Sequence, residues 1–76
     1  KLGAAVLSQA RKKMDRLVRQ KGKVRDELAA LHEEMAAKAD DYQALVDLQA
    51  KANELDERMT NLEKQWLETA DIVEDQ

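Results

Sequence analysis

Residues 45–66 read LVDLQAKANELDERMTNLEKQW, and apolar side chains recur in this stretch at every third or fourth position. The repeat continues to Val73, so that eight of nine such positions in the second half of the chain are apolar. A 3.5-residue spacing held over four heptads predicts a helix in a left-handed coiled coil, because a straight 3.6-residue helix would turn its apolar face away from a partner. The nine positions are Leu45, Leu48, Ala52, Leu55, Met59, Leu62, Trp66, Thr69 and Val73.

The first half of the chain carries the same repeat. With Leu7 as heptad position a, the a and d positions are Leu7, Ala10, Met14, Leu17, Lys21, Val24, Leu28, Leu31 and Met35, of which only Lys21 is not apolar. The residues between the two runs form a connection of a few residues, which requires antiparallel helices. We therefore predict an all-α fold, a two-helix antiparallel coiled-coil hairpin. The expected bounds are about 4–38 for helix 1, 39–41 for the turn and 42–73 for helix 2.

The turn and the pairing of the helices can also be predicted. Asp40 and Gln43 have the spacing of an N-cap and its capping-box partner, and Asp41 adds negative charge at the start of helix 2. A register in which paired a and d residue numbers sum to 83 places Leu17 opposite Trp66, the largest core side chain. It also predicts ion pairs on the flanks, which are Glu34–Lys51, Glu27–Arg58 and Arg25–Asp56. A monomeric hairpin is favoured over a dimer in which two chains swap helices through the turn.

Lys21 interrupts the apolar seam of helix 1 at an a position, and Gly22 follows it on the outer face. A polar residue at an a position lowers stability and specifies register, and a helical glycine costs about 1 kcal/mol relative to alanine. The pair is either a tolerated weak point or a flexible joint in the helix.

Composition argues against several classes of function. The 76 residues include no cysteine and no proline, and 38% of them are charged. No apolar run approaches the roughly 20 residues that span a bilayer, so we expect no membrane partner. The sequence has no glycine-rich phosphate loop, no catalytic triad pattern and no HExxH, and His32 lacks a second metal ligand on its helix face. We expect no catalytic residue, cofactor or metal in this chain.

Charge is distributed unevenly along the sequence. Residues 1–25 carry nine Lys or Arg and one Asp, whereas residues 26–76 carry four Lys or Arg and fifteen Asp or Glu. Four of the cations recur at i, i+4, i+7 and i+11 on the outward c/f face of helix 1; this basic stripe is Lys12, Arg16, Arg19 and Lys23. Arg11 and Lys13 stand on its two borders.

The basic stripe extends over roughly 16 Å and can meet successive phosphates of a nucleic acid. No aromatic platform or outward Asn/Gln cluster accompanies it, so we expect no reading of base sequence. The alternative is a solvated face, partly neutralised by Glu63, Glu68 and Asp71 on helix 2.

From Ala10 onward the chain resembles the C-terminal coiled-coil domain of the Uup-type ABC-F ATPases (the ABC transporter C-terminal domain family). The matching stretches are Ala10-Arg11-Lys12-Lys13-Met14, Glu27-Leu28-Ala29-Ala30-Leu31-His32-Glu33-Glu34-Met35, Asp40-Asp41-Tyr42 and Leu62-Glu63-Lys64-Gln65-Trp66-Leu67-Glu68. The last resembles the Leu-Glu-x-x-Trp-Leu-Glu ending of that domain. This family's arm is often described as basic, whereas here only helix 1 keeps that charge.

The resemblance implies that the chain is a C-terminal fragment of a cytoplasmic ATPase with two nucleotide-binding domains, which would hold the ATP and Mg²⁺. It also implies an accessory arm that contacts those ATPase domains and acts on DNA or ribosomal RNA. A purely structural or protein-interacting coiled coil is the alternative. A tRNA-gripping arm like that of seryl-tRNA synthetase is a third possibility, against which the Trp66-Leu67-Glu68 ending argues.

Overall fold

The computed structural model describes residues 3–75 as two long helices joined by a short turn. Helix α1 spans Ala4–Ala37 and helix α2 spans Tyr42–Glu74. They pack side by side into a rod 58 Å long and 14 × 13 Å across. The predicted all-α hairpin is confirmed. Both helices begin at the predicted residue, and the last residue of each differs from the predicted one by a single position.

Neither helix of the described chain is long and apolar enough to cross a membrane.

The contact between the helices is made by the a and d positions, which we call the seam. None of its eighteen side chains is exposed. Leu17, Val24 and Leu62 form the buried centre, and Leu28, Leu55, Met59 and Trp66 pack against them. Burying a side chain of this size contributes about 1.5–3 kcal/mol. Leu17 and Trp66 belong to the same cluster, as do Leu28 and Leu55; the register and the three flanking ion pairs stay predictions.

One end of the rod holds the first residues of α1 and the last residues of α2, and we call it the open end. Small side chains fill the seam near this end. Thr69 is 4% exposed, and its hydroxyl donates a 2.7 Å hydrogen bond to the Gln65 carbonyl one turn earlier. A polar residue is therefore accommodated in the seam without an unsatisfied donor. Ala70 is also buried, because heptad position e borders the seam and a methyl group fits there.

The turn places Asp41 immediately before α2. Its backbone is extended (φ −107°, ψ 95°), and its N–H donates to the Lys38 carbonyl at 2.9 Å. Its carboxylate accepts a 3.1 Å hydrogen bond from the Ala44 N–H, which would otherwise lack a partner in the first helical turn. Asp41 is thus the N-cap of α2.

The prediction that Asp40 is the N-cap and Gln43 its capping-box partner was wrong. Asp40 lies within the turn, and the Gln43 side-chain amide donates forward to Asp47 at 3.4 Å. The two adjacent aspartates have the same capping chemistry, and the turn backbone selects the second. A capping box on Asp41 would need a Glu or Gln at position 44, where the chain has Ala44.

Candidate nucleic-acid interface

All four residues of the basic stripe are exposed on one face of α1. The helix is continuous through this region, so Lys12 and Lys23 are separated by about 16 Å along its axis. Of the two border residues, Arg11 is exposed and Lys13 is half-buried. The structure therefore presents the predicted cations together, five of them exposed to solvent.

The seam fixes the direction in which the stripe points. Ala10, Leu17 and Val24 alternate with the stripe along α1, and they are 8%, 2% and 1% exposed. Because these d positions face α2, the c and f positions must face away from it. The basic side chains are consequently held outward by the same packing that holds the hairpin together.

Acidic residues define the limit of the stripe. Asp26 occupies the next f position after Lys23, and Glu27 follows at g, so the positive face ends where the acidic half of α1 begins. Glu63, Glu68 and Asp71, the residues expected to neutralise the stripe, are all exposed on α2. Asp71 is at an f position and so faces away from α1.

Lys21 does not join the basic face. It is half-buried at its a position, and its Nζ lies 5.9 Å from the centroid of the Trp66 ring. A cation at this distance over an indole face is attracted by the ring quadrupole. Lys21 therefore stabilises the contact between the helices and is not one of the cations of the basic stripe.

A groove between the helices near the turn was not predicted. It has a volume of about 390 Å³ and is lined by Glu27, Ala30, Leu31, Glu34, Lys51, Glu54 and Leu55. Leu31 and Leu55 supply an apolar floor, and three carboxylates and one ammonium group surround it. Glu27, Glu34 and Lys51 were predicted to form ion pairs only; the small Ala30 between two glutamates was the signal that could have revealed the groove.

No metal site emerges from the described residues. His32 is exposed at an e position of α1. Within residues 3–75, no three His, Cys, Asp or Glu side chains are grouped so that they could hold a metal ion.

No protein-family model, curated protein or solved structure matches this chain. The resemblance to the ABC-F C-terminal domain therefore depends only on the residues quoted for it, above all the Leu62–Glu68 stretch.

Proposed function

We propose that this hairpin is a non-catalytic contact arm that binds DNA or structured RNA through the basic stripe of α1. The observation that supports this is the set of four exposed cations on one face of an unbroken helix. Their span of about 16 Å corresponds to about five phosphates of one strand, at 3.4 Å per phosphate. Phosphate contacts carry no base information, so binding is independent of sequence.

The acidic part of the rod orients this contact. Residues 28–55 carry only Lys38 and Lys51 as cations, against six carboxylates: Glu33, Glu34, Asp40, Asp41, Asp47 and Glu54. A polyanion is repelled from that end and attracted to the open-end half of α1. The nucleic acid then lies against residues 12–23 of α1, and the turn of the hairpin points away from it.

The proposal extends to the parent protein through the family resemblance. We propose that the hairpin is the accessory arm of an ABC-F ATPase. The nucleotide-binding domains of that parent protein would hold ATP and Mg²⁺ and contact the arm. The Leu62–Glu68 ending supports this assignment. We expect two Walker A motifs in the gene upstream of Lys1, and a parent gene with none would overturn the family assignment but not the nucleic-acid contact.

Titration of labelled duplex DNA and of a structured RNA tests the contact. If four phosphates are neutralised, the affinity for DNA should fall roughly 150-fold between 50 and 200 mM salt. The variant K12Q/R16Q/R19Q/K23Q should lose binding. The matched control K38Q/K51Q/R58Q/K64Q removes the same charge away from the stripe and should keep it, with circular dichroism showing that both variants are helical. Equal loss in the two variants would overturn the proposal.

A protein contact is the second candidate, and exposed apolar side chains favour it. Val18, Leu67 and Tyr42 are 54%, 60% and 79% exposed, so each presents apolar surface that a partner protein could cover. Failure to bind either DNA or RNA at 50 mM salt would leave this structural or protein-docking role as the better explanation.

A further inference from the structure

One side of α1 changes sign half-way along the helix. Its c and g positions, here called the α1 flank, are Lys13, Arg16, Gln20, Lys23, Glu27, Ala30, Glu34 and Ala37. The cations all precede residue 25 and the carboxylates all follow it. Two copies of the flank aligned antiparallel have complementary charges. Arg16 of one copy then lies level with Glu34 of the other, and Lys23 lies level with Glu27.

We propose that two copies of the hairpin associate side by side through the α1 flank, with the two α1 helices antiparallel. A twofold axis near residue 25 brings Arg16 to the partner's Glu34 and Lys23 to the partner's Glu27. Symmetry repeats both pairs, so that four ion pairs form. The contact extends from residue 13 to residue 37, about 36 Å of helix.

The shape of the flank suits this approach. Arg16, Lys23, Glu27 and Ala30 are exposed, and Gln20 lies opposite the small side chain of the partner's Ala30. The groove beside Ala30 has an apolar floor and includes both Glu27 and Glu34 in its lining. The aliphatic stem of an arginine from the second copy fits such a site, with its guanidinium reaching the carboxylates.

Charge also selects the antiparallel arrangement over a parallel one. Parallel rods would place two acidic turn ends together, whereas antiparallel rods place each turn end beside the cations of the partner's open end. The corresponding flank of α2 also complements itself, with Asp47 opposite the partner's Arg58 and Glu54 opposite the partner's Lys51, but it leaves the exposed carboxylates of Glu68 and Asp75 without a cation. The α1 flank leaves no carboxylate unpaired, and we therefore place the contact on α1.

This association does not depend on the proposed nucleic-acid contact. Arg16 and Lys23 belong to both surfaces, so a second copy and a phosphate backbone compete for them. The experiments that test the association are therefore done with the chain alone, in the absence of nucleic acid.

Sedimentation equilibrium of the whole chain gives the first test. We expect a concentration-dependent dimer at about 0.1 M salt that dissociates at about 1 M, where the Debye length has fallen from about 10 Å to about 3 Å. A monomer at all concentrations would overturn the proposal. A dimer that persists at 1 M salt would also overturn it, because helix swapping through the apolar seam would survive screening.

Charge reversal gives the second test. The variants R16E/K23E and E27K/E34K should each be monomeric at 0.1 M salt, because every pair across the axis then has like charges. An equimolar mixture should restore a dimer, since all four pairs become opposite. If α1 packed instead against the partner's α2, the mixture would not restore the dimer. Glu at position 16 would then face residues of α2, which neither variant changes. A mixture that stays monomeric would contradict the antiparallel contact.

A milder pair of variants guards against unfolding. R16Q/K23Q removes two cations from the α1 flank and should weaken the dimer roughly tenfold. K12Q/R19Q removes two cations from the f positions of the same helix and should leave the dimer unchanged. Circular dichroism establishes that both are folded, and equal weakening in the two would show a general charge effect and overturn the proposal.

Discussion

The ammonium group of Lys21 lies 5.9 Å from the centre of the Trp66 ring, within the contact between the two helices. Leu62, which the predicted register places opposite Lys21, is only 6% exposed. The aliphatic stem of the lysine therefore lies beside the buried core, and its ammonium group lies over the Trp66 ring. A cation and an indole thereby join two neighbouring layers of the seam.

A double-mutant cycle measures this contact. The changes Lys21→Met and Trp66→Leu should couple by about 0.5–1 kcal/mol in favour of the original pair, as urea unfolding followed by circular dichroism would show. Lys23→Met is the control, because Lys23 is exposed on the outer face of the same helix. Coupling of the same size between Lys23 and Trp66 would mean that the effect is not specific to the contact.

The start of α2 offers a comparison between adjacent aspartates. Asp41→Ala removes the carboxylate that accepts from the Ala44 N–H, and it should lower the free energy of unfolding by about 1 kcal/mol. Asp40→Ala removes the same charge within the turn and should change stability by less than about 0.5 kcal/mol. If thermal or urea unfolding gave the larger loss for Asp40, the assignment of the N-cap would be incorrect.

Gly22 is a site where the helix can be strengthened. A Cβ added there meets nothing within 4 Å, and the residue is in the interior of α1. Gly22→Ala should therefore raise the free energy of unfolding by about 1 kcal/mol. Gly3→Ala also meets nothing, but Gly3 is the N-cap and should give no gain. A loss at position 22 would indicate that flexibility there favours the folded hairpin.

Two valines on α1 allow the same substitution to be compared in the core and on the surface. Val24 is 1% exposed and Val18 is 54% exposed. Val24→Ala should cost about 2 kcal/mol, because two methyl groups leave the packed core and a cavity remains. Val18→Ala should stay within about 0.5 kcal/mol, since little buried area is lost and alanine favours the helix. Equal costs in urea unfolding would contradict the observed seam.

The seam was predictable because its spacing is visible in the sequence itself. All eighteen a and d positions, including the polar Lys21 and Thr69, are at least partly buried. The burial of Ala70 was not predicted, because heptad position e is buried only where the two helices carry side chains small enough to approach each other. The sequence alone does not show how closely two helices approach.

Other features depend on backbone geometry or on both helices at once. Asp40 and Asp41 are chemically equivalent as caps, and only the path of the turn distinguishes them. The groove needs Ala30 on one helix and Leu55 on the other at the same level, so it exists only once the register is set. The basic stripe, by contrast, lies on one helix, and its exposure follows from the heptad positions alone.

The antiparallel arrangement has a mechanical consequence. Residues Ala4 and Glu74 lie at the same end of a 58 Å rod, so a force that pulls them apart loads the layers of the seam one after another. Such a load peels the hairpin open from that end at low force, whereas shearing the helices lengthwise would have to break every layer together. The layers of Ala10 and Thr69 would open first, those of Trp66 and Lys21 would follow, and the turn would be the last part to feel the tension.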